Sequence, residues 1–185
     1  MPSSSDVFIL SAARAADPIK ALQQAVKEAG VNPAKVQDLL FGWDGPESVS
    51  AEELARQAWT HLTAVTVSSS LRALIFAAQS ILCKDAELVL VGGSQGGECA
   101  ALLLAGPAAV GVYNLLPLAH IDARSLSGAE AALKKAELSI EDVEIRLEGT
   151  CGTLLAVELV NTLGEQKARW GMIIENEMAM LVERL

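Results

Sequence analysis

Few residues of this chain are of a type that carries chemistry near neutral pH. Its imidazoles are His61 and His120, and its thiols are Cys83, Cys99 and Cys151. Neither set has metal-ligand spacing, so no metal site is expected. An odd number of cysteines outside a secretory context reads as free thiols in a reducing compartment, which points to a cytoplasmic protein. Cys151 is the candidate nucleophile, because it stands just before an apolar helical run, where a thiolate gains from the helix N-terminus. The plainer role is a small apolar filler, which free cysteine usually is, and no histidine lies near it in sequence. Cys83 and Cys99 read as packing residues.

Serines offer two further places. Gly92-Gly93-Ser94-Gln95-Gly96 fits G-x-S-x-G, the pattern that exposes a nucleophilic serine between a strand and a helix. The order of acid and histidine downstream is wrong for it: His120 is the one histidine after Ser94, and the nearest acids, Asp122 onward, follow it. Ser68, Ser69 and Ser70 precede a long apolar run, where an alkoxide is conceivable and a helix N-cap is the simpler role. His61 is a lone histidine that could approach the same region. Glu175 and Glu177 flank Asn176 in an otherwise apolar context, as a polar handle at a strand end or as a solvated turn.

The elements that must position these groups belong to one domain of 185 residues, long enough to bury a core without disulfide or metal staples. With 51% hydrophobic and only 4% aromatic residues, that core is built from Ala, Leu, Val and Ile. The 14 basic against 23 acidic side chains, net −9, exclude a phosphate-binding face and an anionic membrane surface. No uninterrupted apolar stretch is long enough to span a bilayer, and the opening MPSSSDVFIL lacks the basic start of a signal peptide. The high apolar share suggests that some surface is covered by a partner.

Apolar runs and turn residues lay out alternating elements. Strands are expected at Val7–Leu10, Val36–Trp43 (closed by Asp44-Gly45-Pro46), Ala64–Val67, Glu87–Val91, Val143–Leu147, Met172–Ile174 and Met178–Val182. Helices are expected from Asp17-Pro18 to Gly30, over Ser50–Trp59 with Ser50 and Glu53 as a capping box, over Leu71–Cys83, about Ser127–Ala136, and over Leu154–Leu163. Cys99–Ala105 is ambiguous, with Leu and Ala favouring helix. Ala108–Tyr113 is a further apolar run. The alternation predicts an α/β layered domain.

The chain also contains an internal echo. VKEAGVNPAKVQDLLFG from Val26 aligns without gaps on LKKAELSIEDVEIRLEG from Leu133, matching Lys27 with Lys134, Ala29 with Ala136, and Gly42 with Gly149. Each copy leads to an apolar helix and then a strand. This predicts duplicated halves, about 1–106 and 107–185, each contributing one central helix buried on every side.

These segments resemble the thiolase superfamily over nearly the whole chain. VFILSAAR at Val7–Arg14 is similar to its opening strand, AGVNPAKVQDLLFG to the segment that follows, and ARQAW at Ala55–Trp59 to the approach to its dimer strand. LRALIFAAQSILCKDAELVLVGG, Leu71–Gly93, resembles the nucleophile helix and the next strand. AALKKAELSIEDVEI and GTLLAVELVNTL resemble the start and the central helix of the second half. The resemblance implies two central helices between mixed β-sheets in α/β/α/β/α layers. It also implies chemistry by a cysteine at a helix N-terminus, a histidine from a GHP loop and a second cysteine. Here the nucleophile position falls on Val67 (anchored on Leu71-Arg72-Ala73) or beside Ser68–Ser70. The GHP histidine falls on Gly149, and the last loop, Glu175-Asn176-Glu177, has no cysteine. The NEAF-type segment is absent, and there is no room for the loop domain that carries much of the CoA contact.

The expectation is therefore a non-catalytic thiolase-fold subunit in acyl-CoA or acyl-chain metabolism. It would pair through the Ala64–Val67 strand with itself or with a catalytic thiolase- or ketosynthase-like relative, with a CoA thioester as ligand class. The alternatives are a small acyltransferase using Cys151 or a serine, and a serine hydrolase at Ser94.

Overall fold

The structure, a computed structural model, describes residues 6–43, 49–125 and 127–185. Nine strands form one mixed sheet in the order β3-β2-β4-β5-β1-β6-β9-β8-β7. The first part of the chain supplies β1 (Val7–Ala15), α1 (Pro18–Glu28), β2 (Asp38–Trp43), α2 (Ala51–Ala58), β3 (Thr63–Val67), α3 (Ser70–Cys83), β4 (Leu88–Gln95) and β5 (Glu98–Ala105). After α4 (Pro107–Tyr113) come β6 (Ala119–Ser125), α5 (Ala129–Ala136), β7 (Ile145–Gly149), α6 (Gly152–Gln166), β8 (Trp170–Glu175) and β9 (Met178–Arg184). The turn expected at Asp44-Gly45-Pro46 lies outside the described residues.

Pairing in the two parts follows one scheme. β2 runs parallel to β4, and β4-β5-β1 continue antiparallel. Likewise β7 runs parallel to β8, and β8-β9-β6 continue antiparallel. The two half-sheets join through a short antiparallel pairing of β1 with β6, at Val7–Ile121, Phe8–His120 and Ile9–Ala119. The mixed sheets expected on either side of the central helices are thus halves of one continuous sheet.

Strand alternation sorts side chains into layers. On β4, Val89 and Val91 face the inner core, while Leu88 and Leu90 face an outer core with Leu22, Val26, Phe41 and Leu54 of α1, β2 and α2. Inside, α3 packs on β2 and β4 and reaches β6 and β9; α6 packs on β7 and β8 and reaches β4 and β5; the two helices touch. A smaller outer core under α5 holds Ala132, Met172, Ala179 and Leu181. The central helices are not buried on every side: Arg72, Phe76 and Gln79 leave one exposed stripe on α3, and Glu158, Asn161 and Glu165 leave one on α6.

Local chemistry sets the ends. Asp17 caps α1 by accepting from the Lys20 N–H at 2.8 Å, and Ser50 caps α2 by accepting from the Glu53 N–H at 3.2 Å. The Glu53 carboxylate turns to Arg56 and Gln57 rather than closing a capping box. One open reading is settled, one strand is added and one further expectation is corrected. Cys99–Ala105 is a strand, because Gly96 and Gly97, both at positive φ, turn the chain straight back along β4, and buried pairing overrides helix propensity. Residues Ala119–Ser125, with no apolar run to mark them, form β6. Cys83 is exposed at the end of α3 rather than packed.

Candidate functional site

The N-termini of α3 and α6 meet, and four buried polar residues sit where they do: Ser70, Cys151, Thr153 and Glu175, each between 0% and 2% exposed. Ser69 and Cys151 are the N-cap residues of α3 and α6. Ser69 accepts from the Arg72 N–H at 3.2 Å, and Ser68 accepts from the Arg72 guanidinium at 3.3 Å, so both face outward. Ser70 turns inward. Its hydroxyl donates to the Cys151 Sγ at 3.4 Å and accepts from the Thr153 N–H at 3.1 Å. The Cys151 Sγ also lies 3.5 Å from the Thr153 Oγ1.

Glu175 arrives from the end of β8. Its Oε2 accepts from the Gly152 N–H at 2.5 Å and from the Leu71 N–H at 3.3 Å. One carboxylate oxygen thus takes an amide from the first turn of each central helix, where free N–H groups and the positive dipole end favour an anion. The pocket is filled. A Cβ on Gly93 would stand 2.3 Å from the Thr153 Oγ1, and one on Gly152 would stand 2.4 Å from the Leu71 Cβ. Gln95, at the end of β4, donates to the Thr150 Oγ1 at 2.5 Å and ties the hairpin to the segment before α6.

The structure brings Cys151, Glu175 and one of the three serines together and separates the other candidates. His61 does not approach the serines. Its Nε2 lies 3.1 Å from both the Pro33 and Val36 carbonyls, at the other end of β3. His120 lies at the β1–β6 joint. No imidazole therefore stands beside the Cys151 thiol to act as a base. Val67 is a buried aliphatic side chain, and Gly149 faces Leu155. Glu177 is exposed on the β8–β9 turn, so of the two acids around Asn176 the first is internal and the second solvated. Cys99 is buried in β5, and burial, helped by the Asp17 charge, pushes its thiol up to about 11, which keeps it protonated. The hydrolase reading at Ser94 is overturned. Ser94 lies within β4, opposite Cys99, and the chain continues into a hairpin strand where a nucleophile elbow requires a helix. Thr153 and the inward turn of Ser70 were missed. The one sequence signal for them was a run of small polar residues at the start of each apolar helix.

With this geometry in view, the chain has the fold of the thiolases. It superposes on human mitochondrial 3-ketoacyl-CoA thiolase with a TM-score of 0.83 at 14% identity, covering 98% of this chain and 100% of that one. The same enzyme in complex with CoA gives 0.85 at 14% identity, covering 97% and 98%. The Bacillus anthracis acetyl-CoA acetyltransferase gives 0.85 at 14% identity, covering 97% and 99%. No protein-family model matches the chain, and no curated protein does. At this identity the likeness concerns the fold. No helix among the described residues is long and apolar enough to cross a membrane.

Proposed function

We propose that this chain is a non-catalytic thiolase-fold subunit of acyl-CoA or acyl-chain metabolism. It pairs through β3 with a second copy or with a catalytic thiolase- or ketosynthase-like partner in the cytoplasm. We propose further that its halves, about 1–106 and 107–185, descend from one duplicated unit. Glu175 carries the reading. A built-in carboxylate occupies the anion position at both helix N-termini, the place where a thiolate or a developing oxyanion would gain its stabilisation. With a packed interior and no imidazole beside it, Cys151 lacks the histidine base that a thiol nucleophile commonly uses. A CoA thioester is the ligand class implied by the relatives, one of which was solved with CoA. Pairing is supported by β3 itself. It is one of the two terminal strands of the sheet, its Val65 is 50% exposed, and no charged side chain guards its five residues.

The test is native mass, for the chain alone and after co-expression with a catalytic thiolase. A homodimer or heteromer that Val65→Lys dissociates supports the subunit role; a well-folded monomer in both settings overturns it.

The second reading is a small acyltransferase using Cys151, favoured by one observation. Its Sγ lies at the N-terminus of α6 within reach of two hydroxyls. Iodoacetamide labelling near neutral pH separates the two. The non-catalytic reading expects exposed Cys83 to react first, with Cys99 and Cys151 protected until unfolding. Alkylation of Cys151 ahead of Cys83 would favour the enzyme.

A further inference from the structure

A second polar cluster lies at the joint between the half-sheets. His120 on β6 stands directly opposite Glu183 on β9. The register slips between Ile121 and Ala123, which leaves Asp122 as the extra residue of a β-bulge, a feature that often re-aims a side chain at a site. One ligand atom from each of His120, Asp122 and Glu183 lies within 4.8 Å of the others, and all three residues are partly buried. Asp6, just before β1, brings a third carboxylate, its Oδ1 3.4 Å from the His120 Nε2.

We propose that His120, Asp122 and Glu183 bind a divalent transition-metal cation of the Zn²⁺ type, with Asp6 as the positioning residue behind the imidazole. Asp6 lies on the Nε2 side of the ring, so closing that contact would hold the proton on Nε2 and leave the Nδ1 lone pair to face Glu183, the carboxylate–histidine arrangement that supports metal-bound imidazoles. The Nδ1-to-Oε2 distance is 3.8 Å, too long for a hydrogen bond. Bonds of about 2.0–2.2 Å at tetrahedral angles put neighbouring ligand atoms about 3.4 Å apart, so a small closing movement would seat an ion between them. Glu183 is already oriented. Its Oε1 receives the Arg169 Nε at 2.8 Å and a terminal guanidinium nitrogen at 2.7 Å, leaving Oε2 to face the imidazole. Phe8 on β1 packs against the imidazole ring at 5.8 Å between centroids. Imidazole with carboxylates is the donor set of Zn²⁺ and its neighbours rather than of Ca²⁺. Arg169 and Arg124 border the cluster, yet three carboxylates crowd one imidazole, and a cation relieves that crowding. The bound ion would clamp β6 to β9 beside the pairing that joins the half-sheets.

The experiment uses the full chain carrying Cys83→Ser, so that the exposed thiol does not compete, stripped with EDTA and titrated with ZnCl₂ by calorimetry. One Zn²⁺ per chain is expected, with a higher melting temperature in its presence. His120→Gln should abolish both effects, Asp6→Asn should weaken binding by about tenfold, and His61→Gln should change neither. Far-UV circular dichroism checks that each variant is folded. Should His120→Gln fail to fold, Co²⁺ absorption of the His120-containing protein decides, since ligand-field bands without thiolate charge transfer are expected. No stoichiometric binding, or binding that His120→Gln leaves unchanged, overturns the site and reduces the cluster to an ion-paired surface.

Discussion

Glu175 is fully buried, and its Oε2 joins two helices that begin 82 residues apart in the chain. Charge-assisted bonds from backbone amides are among the stronger ones, and a buried amide that loses its acceptor keeps its desolvation cost. Glu175→Ala is therefore expected to lower stability by about 3 kcal/mol, with Glu175→Gln losing less because an amide oxygen still accepts. Urea unfolding measures both, and an unchanged midpoint for Glu175→Ala would show that the carboxylate ties nothing. The sequence told part of this. Cys151 at the start of a helix was legible, because a cysteine and a glycine precede an apolar run. Glu175 was marked as an acid in apolar surroundings, but its role was not readable, since its partners Leu71 and Gly152 lie 104 and 23 positions away. Periodicity carries no information about contacts at that range.

At the scale of elements, Glu144 fastens the parallel pair β7–β8. Just ahead of β7, its carboxylate accepts from the Trp170 N–H at 2.9 Å and the Arg169 N–H at 2.5 Å, at the start of β8. Those amides, Trp170 first, hold its carboxyl below the ordinary glutamate value. A depressed folded value means stability that is present above the unfolded value and lost as pH falls through the folded one. Glu144→Gln should thus lower the melting temperature near neutral pH, and the gap from the parent should close on acidification below the ordinary glutamate range. A gap that stays constant into acid would show that the charge contributes nothing. Elements whose pattern matched their burial were readable: the caps of α1 and α2, the apolar α3 and α6, the β-branched β3. Cys99–Ala105 was not, because a strand buried on both faces and a helix share the same apolar run, and only its pairing with β4 separates them. β6 escaped although Ala119, Ile121 and Ala123 alternate with polar His120, Asp122 and Arg124, because it carries no apolar run and two alanines mark an apolar face only weakly.

For the whole molecule, the helix–strand segments marked by the match of Val26 onward with Leu133 onward lie in parts that pair their strands by one scheme. The α/β layering followed from the alternation of strands and helices, and the two central helices from the resemblance to the thiolases together with two apolar runs nearly free of charge. What the repeat did not reveal is how the two parts meet. The acceptor for α3 comes from the second part, through Glu175, and the acceptor for α6 comes in part from the first, through Ser70. Co-expressed pieces 1–106 and 107–185 are expected to co-purify as a folded pair, while each alone shows no cooperative melt. Independent folding of either piece would contradict the exchange.

That exchange is also lopsided. Ser70 lies in the first turn of a helix, and Glu175 ends a strand, so neither is the counterpart of the other in the repeat. Two copies of the first piece would therefore bring Ser70 hydroxyls together without Glu175, and two copies of the second would bring Glu175 carboxylates together without Ser70. A shorter chain holding only one of the two parts would not reproduce this pairing of hydroxyl and carboxylate by self-association.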